Sequence, residues 1–84
     1  MRYTVVWHKL AQDELAELWL AAADREAIRR ATDQIDRQLA ESPKDKGTRV
    51  SDQSRELTRP PLQVLFRVLA DDRIVQVFSV AALE

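Results

Sequence analysis

The side chains best suited to chemistry in this chain are the cations of its carboxyl half. Residues 44–67 carry six Lys or Arg side chains against three Asp or Glu, whereas residues 1–42 carry six against eight. Guanidinium and ammonium groups bind phosphates and carboxylates. Their density is far below the basic stripe of a typical nucleic-acid binder, so an ordinary charged surface accounts for the excess equally well. The six cations are Lys44, Lys46, Arg49, Arg55, Arg59 and Arg67.

Side chains that could transfer protons are scarce. His8 is the only histidine and Tyr3 the only tyrosine, and there is no cysteine to act as a nucleophile, disulfide partner or metal ligand. We expect His8 to cap the start of a helix or to face water. Asp13, Glu14 and Glu17 fall on one face of a predicted helix without a histidine beside them, which predicts a solvated surface and no metal site. The sequence indicates no cofactor.

Length and composition favour one globular domain over residues 1–84. Hydrophobic residues make up 45% of the chain and charged residues 32%, a balance that excludes the composition of a disordered protein. The longest apolar run, residues 18–23, is too short to cross a bilayer. The amino terminus lacks the zones of a secretory signal. We therefore expect a cytoplasmic protein without membrane contact.

The amino half predicts one strand followed by two helices. Residues 3–7 are rich in β-branched and aromatic side chains, which favour a strand. From Lys9 onward apolar residues recur at helical spacing. Asp24 can cap a second helix, which should end near Glu41 because the following residue precedes a proline. The predicted apolar stripes are Leu15, Leu18, Trp19 and Ala22 in the first helix and Ile28, Ala31, Ile35 and Leu39 in the second.

The carboxyl half predicts strands joined by short turns. Asp71 and Asp72 supply a hairpin turn, and Pro60 and Pro61 separate the two strands before it. Residues 75–80 are apolar on both sides, so the pattern leaves open which face of the last strand points inward. The predicted strands cover residues 48–51, 54–58, 63–69 and 74–80, the first of them being the weakest.

These elements predict an α+β fold of the order β-α-α-β-β-β. An N-terminal strand and an antiparallel two-helix hairpin precede a three- to four-stranded antiparallel sheet. Segregated helices and strands favour two layers, with both helices on one face of the sheet. The other face, bearing some of Arg55, Arg67 and Gln76, is then open to solvent or to a partner.

The order of elements and five short segments carry a family resemblance. The segments are Ser-Arg-Glu-Leu at 54–57, Pro-Pro-Leu at 60–62, Val-Leu-Phe-Arg-Val at 64–68, Asp-Asp-Arg-Ile-Val at 71–75 and Val-Phe-Ser-Val at 77–80. They resemble the carboxyl half of RelE/ParE-superfamily toxins. Upstream, the Leu/Ala-rich helix after the first strand and the Glu-Ser-Pro at 41–43 are similar to the amino half of that family. The likeness spans nearly the whole chain.

The resemblance implies the toxin component of a type II toxin–antitoxin system, in complex with a cognate antitoxin. Such toxins act as endoribonucleases on ribosome-bound mRNA or as inhibitors of DNA gyrase. In the ribonucleases, basic side chains on the sheet stabilise the phosphate as the ribose 2′-hydroxyl attacks. Here Gln63 replaces the usual strand Arg, and no basic and aromatic segment follows Ala82. The catalytic residues therefore stay unassigned, and the alternatives are a non-catalytic module that binds antitoxin or gyrase, or a toxin-derived protein without toxicity.

Two arginines are the first choices for contact with a phosphate or an antitoxin carboxylate. Arg55 matches the Arg-x-Leu element of the family, and Arg67 lies in the strand that follows. The competing interpretation is that both side chains cover apolar neighbours on the sheet. Lys44, Lys46, Arg49 and Arg59 would steer a polyanion or form solvated surface. We expect Trp7, Trp19 and Phe66 to pack in the core.

Overall fold

Two helices and five strands follow one another in the order that the sequence patterns predict. The computed structural model describes residues 2–83. The chain begins with strand β1 (Thr4–Trp7), followed by helices α1 (Lys9–Ala21) and α2 (Arg25–Glu41). A short 3-10 turn then spans Pro43–Asp45. The remaining strands are β2 (Thr48–Arg49), β3 (Arg55–Arg59), β4 (Leu62–Leu69) and β5 (Ile74–Ala82). The predicted α+β class is confirmed, although β2 is only two residues long.

Helix α2 begins and ends where its capping residues predict. The Asp24 carboxylate accepts a hydrogen bond from the Ala27 amide at 3.1 Å, which satisfies one of the free donors of the first turn. The helix ends at Glu41, just before the residue that precedes the proline. Its buried side chains are those of the predicted stripe: Ile28, Ala31, Ile35 and Leu39.

Helix α1 is less buried than its sequence predicts. Ala11 is its only fully buried residue, with Leu15 and Leu18 partly buried against the core. Trp19 is 39% exposed and Leu20 is 73% exposed, so the prediction that Trp19 packs in the core is wrong. Residues 11, 15 and 18 share one helical face, and position 19 lies well to its side because each residue advances the helix by about 100°. None of the helices in the described range 2–83 is long and apolar enough to span a lipid bilayer.

The sheet has the strand order β1-β5-β4-β3-β2. Strands β2 to β5 pair antiparallel, as predicted. Strand β1 joins parallel to β5, with Thr4 beside Ile74 and Trp7 beside Val77. The sequence patterns do not specify this orientation. A parallel pair needs a long connection, and here both helices and strands β2 to β4 lie between β1 and β5 in the chain.

A β-bulge decides which side chains of β5 face the helices. Leu65 pairs with Ser79 and Phe66 pairs with Val77, so Phe78 has no partner on β4. One extra residue reverses the alternation of a strand. The inward positions therefore change from odd to even across the bulge, and the core contains Val75, Val77 and Val80 together with Leu62, Val64 and Phe66 of β4.

The Glu14 side chain links α1 to β5. Its Oε1 accepts a hydrogen bond from the Val80 amide at 3.2 Å, and the contact is partly buried. Strand β1 ends beside Val77, so no residue of β1 pairs with Val80. Glu14 is thus a structural residue, and the expectation that it belongs to a solvated surface is wrong.

We expect Glu14→Ala to lower the free energy of unfolding by about 1–2 kcal/mol, because it leaves a partly buried amide without an acceptor. Urea unfolding followed by circular dichroism measures the change. Glu17→Ala is the matched control, since Glu17 lies exposed on the same helix. Equal losses in the two variants would show that the Val80 contact contributes nothing.

Candidate functional site

The two arginines chosen from the sequence lie on opposite faces of the sheet. Arg55 pairs with Phe66, and Arg67 pairs with Gln76. Directly paired residues project from the same face of a sheet. Phe66 is fully buried beneath the helices, so Arg55 lies on the helix-bearing side, whereas Arg67 lies on the open side. The structure does not bring these two candidates together.

Arg55 holds the connector between α2 and β2. Its Nε donates to the carbonyl oxygen of Lys46 at 2.9 Å, and a terminal nitrogen donates to the carbonyl oxygen of Gly47 at 3.2 Å. Backbone carbonyls of a turn are acceptors that a guanidinium fork can satisfy together. This geometry gives Arg55 a structural task on the side of the sheet that the helices occupy.

The other four candidate cations do not converge on a common point. Arg49 forms an exposed ion pair with Asp52 at 3.3 Å. Arg59 donates to the carbonyl oxygen of Thr58 at 2.6 Å. Lys44 belongs to the 3-10 turn and Lys46 follows it. The local charge excess is therefore spread along the far edge of the sheet and its connector.

Arg67 lines a cleft of about 390 Å³ on the open face. Its Nε is buried and has no hydrogen-bond partner among residues 2–83. Buried polar groups in folded proteins are nearly always satisfied, so this unpaired Nε shows that the fold leaves hydrogen-bonding capacity of Arg67 unused. The cleft is lined by His8, Ser51, Gln53, Ser54, Arg67 and Phe78.

The β2–β3 hairpin loop forms one wall of this cleft. The pairing of Arg55 with Phe66, continued by one residue, places Ser54 opposite Arg67. The loop closes through a bond from the Val50 amide to the carbonyl oxygen of Ser54 at 3.1 Å. The hydroxyl oxygens of Ser51 and Ser54 lie 2.6 Å apart. Both serines line the same cleft as Arg67.

His8 and Phe78 line the same cleft from the neighbouring strands. The His8 amide donates to the carbonyl oxygen of Val77 at 2.9 Å, which continues the pairing of β1 with β5. His8 occupies the N-cap position of α1, as expected, but its imidazole makes no capping hydrogen bond. Phe78 is the bulge residue, and bulges commonly re-aim side chains beside functional sites.

Sequence reasoning did not place His8 in this cleft. The available signal was the alternation of β1, because Trp7 faces the core and the next residue therefore faces the opposite side. Using that signal required knowing that β1 pairs with β5. Elsewhere in residues 2–83, no group of three or more His, Asp or Glu side chains is placed to hold a metal ion.

A second cleft, of about 570 Å³, lies between the two helices. Its walls are mostly apolar and are formed by Trp7, Gln12, Leu15, Ala16, Trp19, Thr32 and Asp36. The Trp7 indole donates to Oδ1 of Asp36 at 2.7 Å, and the Gln12 amide donates to the carbonyl oxygen of Trp7 at 2.7 Å. These bonds join β1 to α1 and α2 at the floor of the cleft.

The Asp36 carboxyl group lies in a partly desolvated position. Burial raises the pKa of Asp36, the hydrogen bond from Trp7 opposes this rise, and the negative charge of Asp33 adds to it. The folded protein therefore binds a proton at Asp36 more readily than the unfolded chain does. The stability that this proton provides is present at low pH and is lost as pH rises through the folded-state pKa.

We expect Asp36→Asn to stabilise the protein more at about pH 7 than at about pH 4, because it removes a carboxylate that is charged and desolvated only at the higher pH. The asparagine Oδ1 keeps an acceptor for Trp7. Urea unfolding at both pH values measures the difference. Asp13→Asn, at an exposed position on α1, is the control. A benefit from Asp36→Asn that is larger at the lower pH would contradict the direction of the pKa shift.

Comparison with known proteins shows which solved structures this fold resembles. No protein-family model matches the chain, and no curated protein matches its sequence. Among solved structures, it is similar to the RelBE2 toxin–antitoxin complex of Mycobacterium tuberculosis, with a TM-score of 0.80 and 17% identity over 98% of this chain and 99% of that one.

Two further structures agree with the first. The chromosomal ParDE system of P. aeruginosa matches with a TM-score of 0.76 and 17% identity over 99% of this chain and 98% of that one. The intact E. coli RelBE complex matches with a TM-score of 0.73 and 17% identity over 98% of each chain. The predicted resemblance is confirmed at the level of architecture, and the chain has the RelE/ParE toxin fold.

Proposed function

We propose that this chain is the toxin component of a type II toxin–antitoxin pair and that a cognate antitoxin neutralises it in the cytoplasm. The observation that carries the proposal is the end-to-end match to chains from RelBE2, ParDE and RelBE systems, with almost no residue of this chain left over. Those neighbours are described as toxin–antitoxin systems or complexes. A shared fold does not fix a shared target, so the target must come from the chemistry of the site.

We infer that translation is the target and that the toxin cleaves mRNA on the ribosome. Cleavage needs a cation at the phosphate and a group that moves a proton. The open-face cleft contains Arg67 and His8, which have those two capacities. Inhibition of gyrase is the alternative, and it requires no proton transfer by the toxin.

The antitoxin is expected to occupy the same cleft with an acidic segment. A carboxylate can accept hydrogen bonds from the Arg67 guanidinium as a phosphate oxygen does. Neutralisation would then be competition for one anion site. An antitoxin that binds there should bind more tightly at low ionic strength than at high ionic strength, because salt screens exposed charge pairs.

Inducible expression in bacteria, with and without the small reading frame adjacent to the gene, tests this function. We expect growth arrest, ribosome-dependent cuts in mRNA and relief by co-expression of the neighbour. Double-strand DNA breaks without mRNA cuts would support gyrase as the target instead. Unaffected growth at verified expression of folded protein would contradict a toxin of either kind.

A further inference from the structure

Both tryptophans of the chain line the cleft between the two helices. Trp7 belongs to β1 and Trp19 to α1, and the cleft that they share measures about 570 Å³. Clefts of this size commonly bind ligands through apolar walls and a few polar groups. Trp19 keeps 39% of its surface exposed, although its spacing from other apolar residues is that of a helix stripe. The fold therefore leaves aromatic surface open in this cleft.

The polar side chains of this cleft use their donors within the fold. The Gln12 amide donates to the carbonyl oxygen of Trp7 at 2.7 Å, and the Thr32 hydroxyl donates to the carbonyl oxygen of Ile28 at 2.9 Å. The Trp7 indole donates to Oδ1 of Asp36 at 2.7 Å. The groups left for a ligand are mainly acceptors, namely Oε1 of Gln12, Oγ1 of Thr32 and Oδ2 of Asp36. These acceptors select a ligand that brings hydrogen-bond donors.

Asp36 brings a negative charge that forms no ion pair with a cation of residues 2–83. Asp33, on the preceding turn, pairs with Arg29 at 2.8 Å. Arg2 and Arg37 line a neighbouring cleft together with Asp36, yet neither forms an ion pair with its carboxylate. Burial raises the pKa of Asp36, which shows that its charge is partly desolvated. A desolvated carboxylate without a partner gains strongly from a bound cation.

We propose that the cleft between α1 and α2 binds a lysine or arginine side chain of a partner protein, with its cation at Asp36 and its aliphatic stem against the indoles. An ammonium or guanidinium group supplies both the donors and the positive charge that the cleft lacks. Its methylene groups suit the apolar walls. Indole rings also attract cations, and Arg25 already holds its guanidinium carbon 5.9 Å from the centre of the Trp19 ring.

The apolar surface beside the cleft favours a protein over a small amine as the source of the cation. Leu20 is 73% exposed and lies one helical turn after Ala16, a residue of the cleft wall. Together with Trp19 it extends the apolar surface of α1 past the cleft. A small amine would leave this surface in water, whereas a segment with apolar residues around its basic residue would cover it. Such a segment is opposite in charge to the acidic one proposed for the open face, so the inference does not rest on that proposal.

Two NMR signals test binding directly. Trp7 and Trp19 are the only tryptophans, so nitrogen–proton correlation spectra contain just two indole N–H resonances, and both report on this cleft. The probe is the peptide acetyl-Leu-Arg-Leu-amide, and acetyl-Leu-Glu-Leu-amide is its charge-reversed counterpart. We expect the arginine peptide to shift both resonances in a saturable manner and the glutamate peptide to leave them in place. Equal shifts with the two peptides, or none with either, would overturn the proposal.

Asp36→Asn tests where the cation binds. The asparagine keeps an acceptor for Trp7 and removes the charge, so at about pH 7 we expect the arginine peptide to bind about 10-fold more weakly or worse while the protein stays folded. Asp13→Asn, at an exposed position of α1, is the control and should bind the peptide as the wild type does. Unchanged affinity in Asp36→Asn would overturn the proposal.

Leu20→Ser and the small cation butylguanidinium distinguish a protein ligand from a small one. Leu20 is not among the described residues that line the cleft, so butylguanidinium should bind the variant and the wild type equally. The arginine peptide should bind the wild type more tightly than butylguanidinium does, and it should lose about 3- to 10-fold in Leu20→Ser, because it also covers the leucine. Butylguanidinium that binds as tightly as the peptide would overturn the assignment to a partner protein.

Discussion

Replacing Arg67 by alanine is expected to reduce mRNA cleavage by about 10²- to 10³-fold and to abolish growth arrest, the scale seen when one electrostatic donor to a transition state is lost. Arg67 is the only cation that lines the open-face cleft within the described residues. Its Nε has no partner there, so its removal breaks no hydrogen bond that holds the fold. We therefore expect loss of activity without loss of stability.

Two further arginine variants make this result specific. Arg30→Ala removes an exposed arginine of α2 on the opposite side of the molecule and should leave toxicity unchanged. Arg67→Lys keeps the charge but loses the planar fork of donors, so we expect intermediate activity. Thermal unfolding of all three proteins checks that they are equally folded. Full toxicity of Arg67→Ala would remove the cleft from the mechanism.

Replacing Gly47 by alanine is expected to destabilise the protein strongly through the connector between α2 and β2. Gly47 has φ of 69°, in the left-handed region that costs other residues about 1–3 kcal/mol. An added Cβ would also collide with the carbonyl group of Glu56 on β3. That carbonyl belongs to the backbone, so it cannot rotate away. The pairing of β2 with β3 and the two bonds from Arg55 should be disrupted together.

We expect Gly47→Ala to lower the free energy of unfolding by more than about 2 kcal/mol, measured by urea denaturation. Gly47→Asn separates the two causes, because asparagine tolerates the left-handed region but still carries a Cβ. The asparagine variant should remain strongly destabilised by the collision. Lys46→Ala is the control, since its backbone carbonyl still accepts from Arg55. A loss below about 0.5 kcal/mol for Gly47→Ala would show that the connector moves freely.

The parts of this fold that the sequence predicts best are those fixed by neighbouring residues. The Asp24 carboxylate accepts a hydrogen bond from the Ala27 amide three residues later, and α2 ends at Glu41, two residues before Pro43. The turn at Asp71 and Asp72 joins two strands of similar length. Short-range interactions of this kind leave a pattern in a single sequence.

The parts that sequence patterns missed depend on pairing between distant strands. The parallel position of β1 beside β5 cannot be deduced from either strand alone. The bulge at Phe78 decides which valines of β5 enter the core, but apolar side chains occupy both odd and even positions of residues 75–80, so the inward face was left open. The same pairings bring His8 and Arg67 to one cleft and put Arg55 on the other face of the sheet. Of the six residues that line the candidate site, only Arg67 was chosen from the sequence.

One experiment tests most directly whether this chain is a toxin that cuts RNA through its open face. Purified protein is incubated with ribosomes and a defined mRNA, and the 5′ ends of the fragments are mapped and identified chemically. We predict cuts that require ribosomes, that carry 5′-hydroxyl ends, and that disappear in Arg67→Ala while remaining in Arg30→Ala. Intact mRNA in the presence of wild-type protein that arrests growth in cells would contradict this function.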